Sequence, residues 1–125
     1  MKINKWYAKD KFLTVTKKDG KLIIENDSNQ EGKLFALKLI KSKGKWLNIS
    51  FNGKTLSGAG AILSLVNKKR YRIFDTFLGS KSSVAKNKVG HLIPVIIVKP
   101  NSKVLIDDVV IEKSEKKEIT FNKFL

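Results

Sequence analysis

The chain has 125 residues and a net charge of +15, and its basic residues are almost all lysine, with only Arg70 and Arg72 as exceptions. A chain of this length fits one domain with a single sizeable core. It contains no cysteine, which excludes disulfides, thiolate metal sites and a cysteine nucleophile. The apolar runs are too short to span a bilayer, and no apolar segment follows the basic start as in a signal peptide. The sequence thus predicts no membrane insertion and does not indicate a cellular location.

The positive charge has two explanations. The first is a lysine-rich, well-solvated surface without a specific partner. The second is a polyanionic partner such as an acidic glycan, another anionic polymer or nucleic acid. The scarcity of arginine, which binds phosphates and bases with two hydrogen bonds, argues against dedicated nucleic-acid recognition.

The first half of the chain alternates apolar and polar residues with a period of two, which predicts short strands. The turn signal Asp19-Gly20 separates the first two strands and predicts a hairpin. Ser42-Lys-Gly44 is expected to form the turn between the third and fourth strands, and Asn52-Gly53 is expected to end the fourth strand. The predicted strands are 11–16, 21–25, 33–41 and 45–51.

The second half continues the strand pattern after the small-residue loop Leu56–Gly60. Gly79–Lys88 is polar and irregular, which predicts a flexible loop. Pro94 cannot donate a backbone hydrogen bond and favours an edge position or a bulge. The strands predicted here are 61–67, 70–78, 90–98 and 103–112, and 119–124 is a possible addition.

Eight or nine short strands with frequent turn signals predict an all-β fold, an antiparallel β-sandwich of the jelly-roll type, in one domain over 1–125. Residues 1–10, with Trp6 and Tyr7, are expected to form an N-terminal strap against this sandwich. Residues 113–125 are expected to form a charged tail.

The order of motifs resembles that of the jelly-roll carbohydrate-binding modules, within the broader galactose-binding-like β-sandwich class. Three stretches carry this resemblance. "GKWLNISFNGK" is similar to their central strand, and "GAGAILSLVNKKRYRIFD" to the pair of strands that follows. "IPVIIVKPNSKVLIDDVVIE" is similar to their closing pair. The resemblance covers roughly residues 20–112. It implies a jelly roll, a non-catalytic sugar-binding function and a possible place as an accessory domain of a larger glycan-processing protein or glycosyltransferase.

The resemblance also implies a possible structural Ca²⁺ held by an acid of the closing strand. Asp107 and Asp108 are adjacent acids in that strand, so one of them must face inward or lie at an edge or bulge. The hypothesis joins one of them to Glu25 or Asp27 around the ion, which takes six to eight oxygen ligands. The alternative is that one aspartate accepts backbone hydrogen bonds at a strand bend while the other faces solvent near a lysine.

A candidate ligand patch follows from the alternation of faces. If Leu47, Ile49 and Phe51 point inward, Trp46 and Asn48 share the opposite face. If Tyr71, Ile73 and Phe77 are likewise core residues, Arg72 and Phe74 lie on the other side of their strand. The predicted ligand-binding residues are therefore Trp46, Asn48, Arg72 and Phe74, provided that the two strands belong to one sheet. The alternative is that both aromatics are packing residues.

Catalysis finds little support, because the sequence has no G-x-S-x-G, H-E-x-x-H or P-loop motif. His91 is the only histidine and forms neither a zinc site nor a triad by itself. Two functions remain beside glycan binding: a nucleic-acid or polyanion binder, and a structural or oligomerisation module. A large apolar patch on one sheet face favours the structural module, and a shallow aromatic cleft with amides favours the sugar binder.

Overall fold

The computed structural model describes residues 1–41, 46–84 and 91–114, which form two antiparallel sheets packed face to face. The predicted antiparallel β-sandwich is confirmed, with eleven strands in these ranges. None of the described segments is a helix long and apolar enough to cross a membrane. The strands are β1 Trp6–Ala8, β2 Leu13–Lys18, β3 Lys21–Asn26, β4 Gly32–Ala36, β5 Ile40–Lys41, β6 Trp46–Ser57, β7 Ala61–Val66, β8 Arg72–Phe77, β9 Ser80–Val84, β10 His91–Val98 and β11 Ser102–Ser114.

Sheet I has the strand order β1-β4-β10-β7-β8, and β5 also pairs with β10. Sheet II has the order β2-β3-β11-β6-β9. The long strands β6 and β11 pair along most of their length at the centre of sheet II. Their inward side chains form the middle of the core, and Leu47, Ile49 and Phe51 point inward as the alternation predicts.

Two strands were not predicted from the sequence. The strand β1 is only three residues long and lies in the expected N-terminal strap, where it pairs with β4. The strand β9 occupies part of Gly79–Lys88, so the prediction of an irregular loop there is wrong for Ser80–Val84, which pairs with β6. Short strands of this kind follow from pairing with a neighbour, which local composition does not reveal.

The predicted turn at Asn52-Gly53 is also wrong, because β6 runs without interruption from Trp46 to Ser57. The pairing of β6 with β11 shifts register between Ile106 and Asp108, so Asp107 forms a β-bulge opposite Asn52 and Gly53. A bulge bends the strand locally, and the glycine accommodates this bend with φ of 155°.

Pro94 lies in β10, a central strand of sheet I, and its edge placement is therefore not observed. β10 pairs with β4 from Val95 onwards and with β5 at His91 and Leu92. Pro94 is in register with Leu65 of β7 on one side, and on the other side it lies opposite the interruption between β4 and β5, an irregularity of the kind at which sheets tolerate proline.

Residues 1–3 lie along sheet II before the chain crosses to sheet I at β1. The Ile3 N–H donates to the Val109 carbonyl at 2.8 Å, and the Ile111 N–H donates to the Met1 carbonyl at 2.9 Å. The N-terminal ammonium forms an ion pair with Glu112. At the other end, β11 extends through Lys113 and Ser114, so these two residues are strand and not tail. The predicted turn 42–44, the loop residues 85–88 and the possible strand 119–124 lie outside the described residues.

The loops at one end of the sandwich are joined by buried polar side chains, a region we call the loop corner, defined by Asn26 and Ser102. The Asn26 side chain donates to the carbonyls of Gln30 (2.8 Å), Val98 (3.2 Å) and Lys99 (3.1 Å). The Ser102 hydroxyl accepts hydrogen bonds from the Ala59 and Gly60 N–H groups at 3.0 and 3.2 Å. These bonds fix the β3–β4, β6–β7 and β10–β11 connections to one another.

Candidate functional site

The four predicted ligand-binding residues do not share a sheet. Trp46 and Asn48 lie on β6 in sheet II, whereas Arg72 and Phe74 lie on β8 in sheet I. The connection from β6 to β7 carries the chain from one sheet to the other, and β8 then pairs with β7. The single mixed patch of these four residues is therefore not formed.

The faces of β8 are also opposite to the prediction. Phe74 packs against the core and Thr76 is buried with 1% of its surface exposed, whereas Tyr71 and Phe77 are 65% and 69% exposed. Aromatic residues occur on both faces of this strand, so alternation alone does not identify the inner one. The pairing of β7 with β8 shifts register between Leu65 and Val66, which adds to the ambiguity.

Arg72 lies on the surface and is paired with Asp75 on the same strand. Its Nη2 lies 2.6 Å from the Asp75 Oδ2. The hydrogen bond to Asp75 raises the pKa of the Arg72 guanidinium further above its usual range. The arginine therefore already has an anionic partner.

Asp107 and Asp108 have separate partners. Lys21 Nζ lies 3.0 Å from the Asp107 Oδ1, and the Asn52 side-chain amide donates to the Asp108 Oδ1 at 2.6 Å. Their proposed companion Glu25 lies opposite Lys103 in the strand register, about 13 Å along the sheet from the bulge at Asp107. Among the described residues no three His, Cys, Asp or Glu side chains are grouped to hold a metal ion. The calcium arrangement with Glu25 or Asp27 is therefore not formed, and the predicted bulge explains the adjacent acids.

A cleft of about 390 Å³ opens between the two sheets at their β1 and β2 edges, and we call it the edge cleft. Its walls are mostly apolar, and its polar side chains are one amide and two lysines. Protein sites for small ligands combine the same features: a concave apolar surface and a few polar groups that fix orientation. The lining residues are Asn4, Lys5, Trp6, Ala8, Val15, Lys17, Leu22, Leu34 and Leu37.

The edge cleft is open because β1 is too short to cover the hairpin of β2 and β3. Val15 pairs with Ile24 and Lys17 with Leu22, so these side chains share the inner face of sheet II. Ile24 is fully buried, but Val15 remains 38% exposed on the same face. Sheet I therefore covers the inner face of β3 at Ile24 and leaves the inner face of β2 accessible at Val15.

Trp6 forms part of the opposite wall. Its position opposite Ala36 on β4 directs the ring towards the interior, and its indole N–H donates to the Ile3 carbonyl at 3.3 Å. The ring packs against the edge of the core and is partly exposed. Among the described residues, no hydrogen bond or ion pair engages the side chains of Asn4, Lys5 or Lys17, so these groups are available to a ligand.

Sequence reasoning missed the edge cleft. It assigned Trp6 to a strap, which is where the residue lies, but the role of the ring depends on which strands the strap leaves uncovered. The alternation in 11–16 does show Val15 on the same face as Leu13. Lys17 occupies the next inward position of this strand after Val15. A lysine at an inward position is the one signal in the sequence that this part of the inner face is open to solvent.

A second apolar cluster lies on the outer face of sheet I, separate from the core, and we call it the outer-face cluster. Its four members on β7 and β10 are buried, and two partly buried neighbours pack against them. The members are Ile62, Val66, Val95 and Ile97, and the neighbours are Phe35 and Ile93. Tyr7 pairs with Phe35 at one side of this face and Phe77 pairs with Ile62 at the other, and both rings are largely exposed.

The fold is shared with solved structures of very different sequence. A low-affinity xylan-binding module, CBM86, from the gut symbiont Roseburia intestinalis superposes with a TM-score of 0.58 at 12% identity, over 91% of this chain and 93% of that one. A chain from the crystal structure of accessory secretory proteins 1, 2 and 3 of Streptococcus pneumoniae gives 0.57 at 9% identity, over 85% and 88%. A chain of a glycosylation-associated protein complex from Streptococcus agalactiae gives 0.54 at 9% identity, over 87% and 44%.

No protein-family model matches the chain, and no curated protein matches it either. The solved structures show that the chain shares its β-sandwich fold with carbohydrate-binding modules, as the sequence resemblance implied. The same sandwich also occurs in chains of multi-protein assemblies.

Proposed function

We propose that this chain is a non-catalytic, carbohydrate-binding-like module that binds a glycan in the edge cleft. The observation that carries this proposal is the cleft itself, where an indole ring meets an amide and two lysines that no other side chain in the described part of the chain engages. The apolar face of a sugar ring packs against an aromatic side chain, and its hydroxyl groups take hydrogen bonds from the surrounding polar groups. The similarity to a xylan-binding module supports the same function.

The module is proposed to act as an accessory part of a larger glycan-processing system. Two of the similar chains belong to assemblies whose names concern accessory secretion and glycosylation. A net charge of +15 would favour anionic glycans over neutral ones through long-range attraction.

The two tryptophans allow a matched test of where the glycan binds. Trp6 lines the edge cleft, while Trp46 belongs to the patch predicted from the sequence and lies on β6. Wild type, Trp6→Ala and Trp46→Ala would be screened on an array of neutral glycans, acidic glycans and single-stranded DNA at low and high salt. Circular dichroism and melting curves would establish that each variant is folded.

Binding to particular glycans that survives high salt and is lost only in folded Trp6→Ala would support the edge cleft. Loss only in Trp46→Ala would move the site to β6 and overturn the cleft. Binding to every polyanion, DNA included, that disappears with salt and ignores both substitutions would instead support a general polyanion binder. No glycan binding at all would overturn the proposed function.

The outer-face cluster favours a second function, that of a docking subunit whose partner is a protein. Two largely exposed aromatic rings, Tyr7 and Phe77, flank the buried aliphatic side chains of this cluster and are the apolar surface that a structural module would present. Aromatic side chains are enriched in the buried centre of protein interfaces. The presence of the sandwich in chains of two multi-protein complexes supports this candidate.

The docking function can be tested with two charge insertions of equal chemistry. Phe77→Asp alters the edge of the outer-face cluster, and Leu56→Asp alters an exposed leucine on β6 of sheet II as the control. A protein that co-purifies with wild type and with Leu56→Asp, and that binds again from purified components, should fail to bind Phe77→Asp. Equal binding by both variants would contradict docking through this face.

A further inference from the structure

A second, more polar pocket of about 210 Å³ adjoins the edge cleft, and we call it the lysine pocket. Its charged lining consists of Lys2, Lys5 and Lys38. It shares three lining residues with the edge cleft, namely Asn4, Lys5 and Leu37. The two cavities therefore form one continuous depression that is apolar at one end and basic at the other.

Backbone hydrogen bonds bring these lysines together. Ile3 is buried and its N–H is bonded to Val109, which fixes the segment that carries Lys2 and Lys5. The Leu37 N–H donates to the Lys5 carbonyl at 3.0 Å, which places the residue after it, Lys38, beside the same segment. The convergence of three lysines is thus built into the strap and its contact with the chain after β4.

The lysines around the lysine pocket outnumber the acids near it. No acidic residue lines either the lysine pocket or the edge cleft. Asp107 and Asp108 line a smaller neighbouring cavity that also includes Lys2, where Asp107 pairs with Lys21 and Asp108 accepts a hydrogen bond from the uncharged Asn52 amide. None of the ion pairs among the described residues involves Lys2, Lys5 or Lys38.

Three ammonium groups around one pocket repel one another, and a bound anion relieves this repulsion. The pocket is accessible and its three lysines are exposed, so they can turn towards a ligand without loss of packing. Lysine binds phosphate, sulfate and carboxylate groups as a compact point charge.

We infer that the ligand of the depression is an acidic glycan, with a sugar ring against Trp6 and an anionic substituent in the lysine pocket. This inference rests on the proposed glycan-binding function and adds the class of sugar and the place of its charge. The substituent is a phosphate, sulfate or carboxylate group, and glycans that differ only in this group distinguish the three.

The experiment compares matched neutral and acidic forms of the same oligosaccharide by calorimetry at physiological salt. The variant is the triple substitution Lys2→Gln, Lys5→Gln and Lys38→Gln. The control is Lys18→Gln, Lys54→Gln and Lys68→Gln, which removes the same charge from three exposed lysines elsewhere. Melting temperatures establish that both triple variants are folded.

The inference predicts that the lysine-pocket variant loses about tenfold in affinity for the acidic form and keeps its affinity for the neutral form. The control variant should change either affinity by less than about twofold. Equal losses in both triple variants would assign the preference to net charge and overturn the inference. Equal affinity of the wild type for the two forms would overturn it too and leave glycan binding intact, whereas no binding of either form would overturn the proposed function itself.

Discussion

The loop corner and the edge cleft differ in what their polar side chains contact. At the loop corner, Asn26 and Ser102 are buried and bonded to backbone groups of three connections. At the edge cleft, the side chains of Asn4 and Lys17 have no such partners within residues 1–41, 46–84 and 91–114. A buried polar group must be paired inside the protein, so the first region stabilises the fold. An unpaired group at a cleft can pair with a ligand, so the second region is suited to function.

The largest effect is expected from Asn26→Ala at the loop corner. The substitution removes the donor for the Gln30, Val98 and Lys99 carbonyls and leaves a buried acceptor without a partner. We expect the free energy of unfolding to fall by about 3 kcal/mol, measured by urea denaturation. Asn29→Ala, at an exposed neighbouring position, is the control and should have little effect. Equal stability of the two variants would remove the assigned role of the loop corner.

A smaller effect of opposite sign is expected from Ala8→Leu in the edge cleft. Ala8 faces the cleft from β1 opposite Leu34, and the larger side chain would fill part of the open space. Burial of the added methyl groups should raise the free energy of unfolding by about 0.5–1 kcal/mol, while glycan binding in the cleft is lost. Ala59→Leu on an exposed loop is the control. Unchanged glycan binding in Ala8→Leu would show that the ligand lies elsewhere.

The smallest change in stability is expected from Lys17→Gln. Its exposed side chain lines the edge cleft without a partner, so the free energy of unfolding should change by less than about 0.5 kcal/mol. Affinity for an acidic glycan should nevertheless fall, measured by calorimetry. Lys18→Gln, next along the same strand and on its other face, should alter neither quantity. Equal affinities of the two variants would mean that Lys17 does not face the bound ligand.

Much of the fold could be predicted because the strands alternate with a clear period. In β6, Leu47, Ile49 and Phe51 are inward as expected, and a bulge explains the two acids at 107 and 108. The prediction failed on β8, where both faces carry aromatic residues and the alternation has no unique reading. It also failed at Asn52-Gly53, because a bulge in a continuous strand uses the same residue types as a hairpin turn.

The candidate site could not be predicted in the same way. Whether Trp6 lies at a ligand site depends on how far β1 reaches over β2. The length of each strand depends on its pairing partner in the folded protein, which the local sequence does not specify. The predicted patch of Trp46, Asn48, Arg72 and Phe74 requires that β6 and β8 belong to one sheet. The alternation of side chains along a strand does not specify the sheet to which that strand belongs.

The pairing of residues 1–3 with β11 has a consequence for the order of folding. Their partners Val109 and Ile111 are synthesised more than a hundred positions after them. β11 also lies between β3 and β6, so sheet II cannot close before β11 is available. Pairing over such sequence distances is slow, and until it is complete the edges of β3 and β6 are exposed to other chains. The pairing of β6 with β11 and the docking of residues 1–3 onto β11 should therefore complete the sandwich.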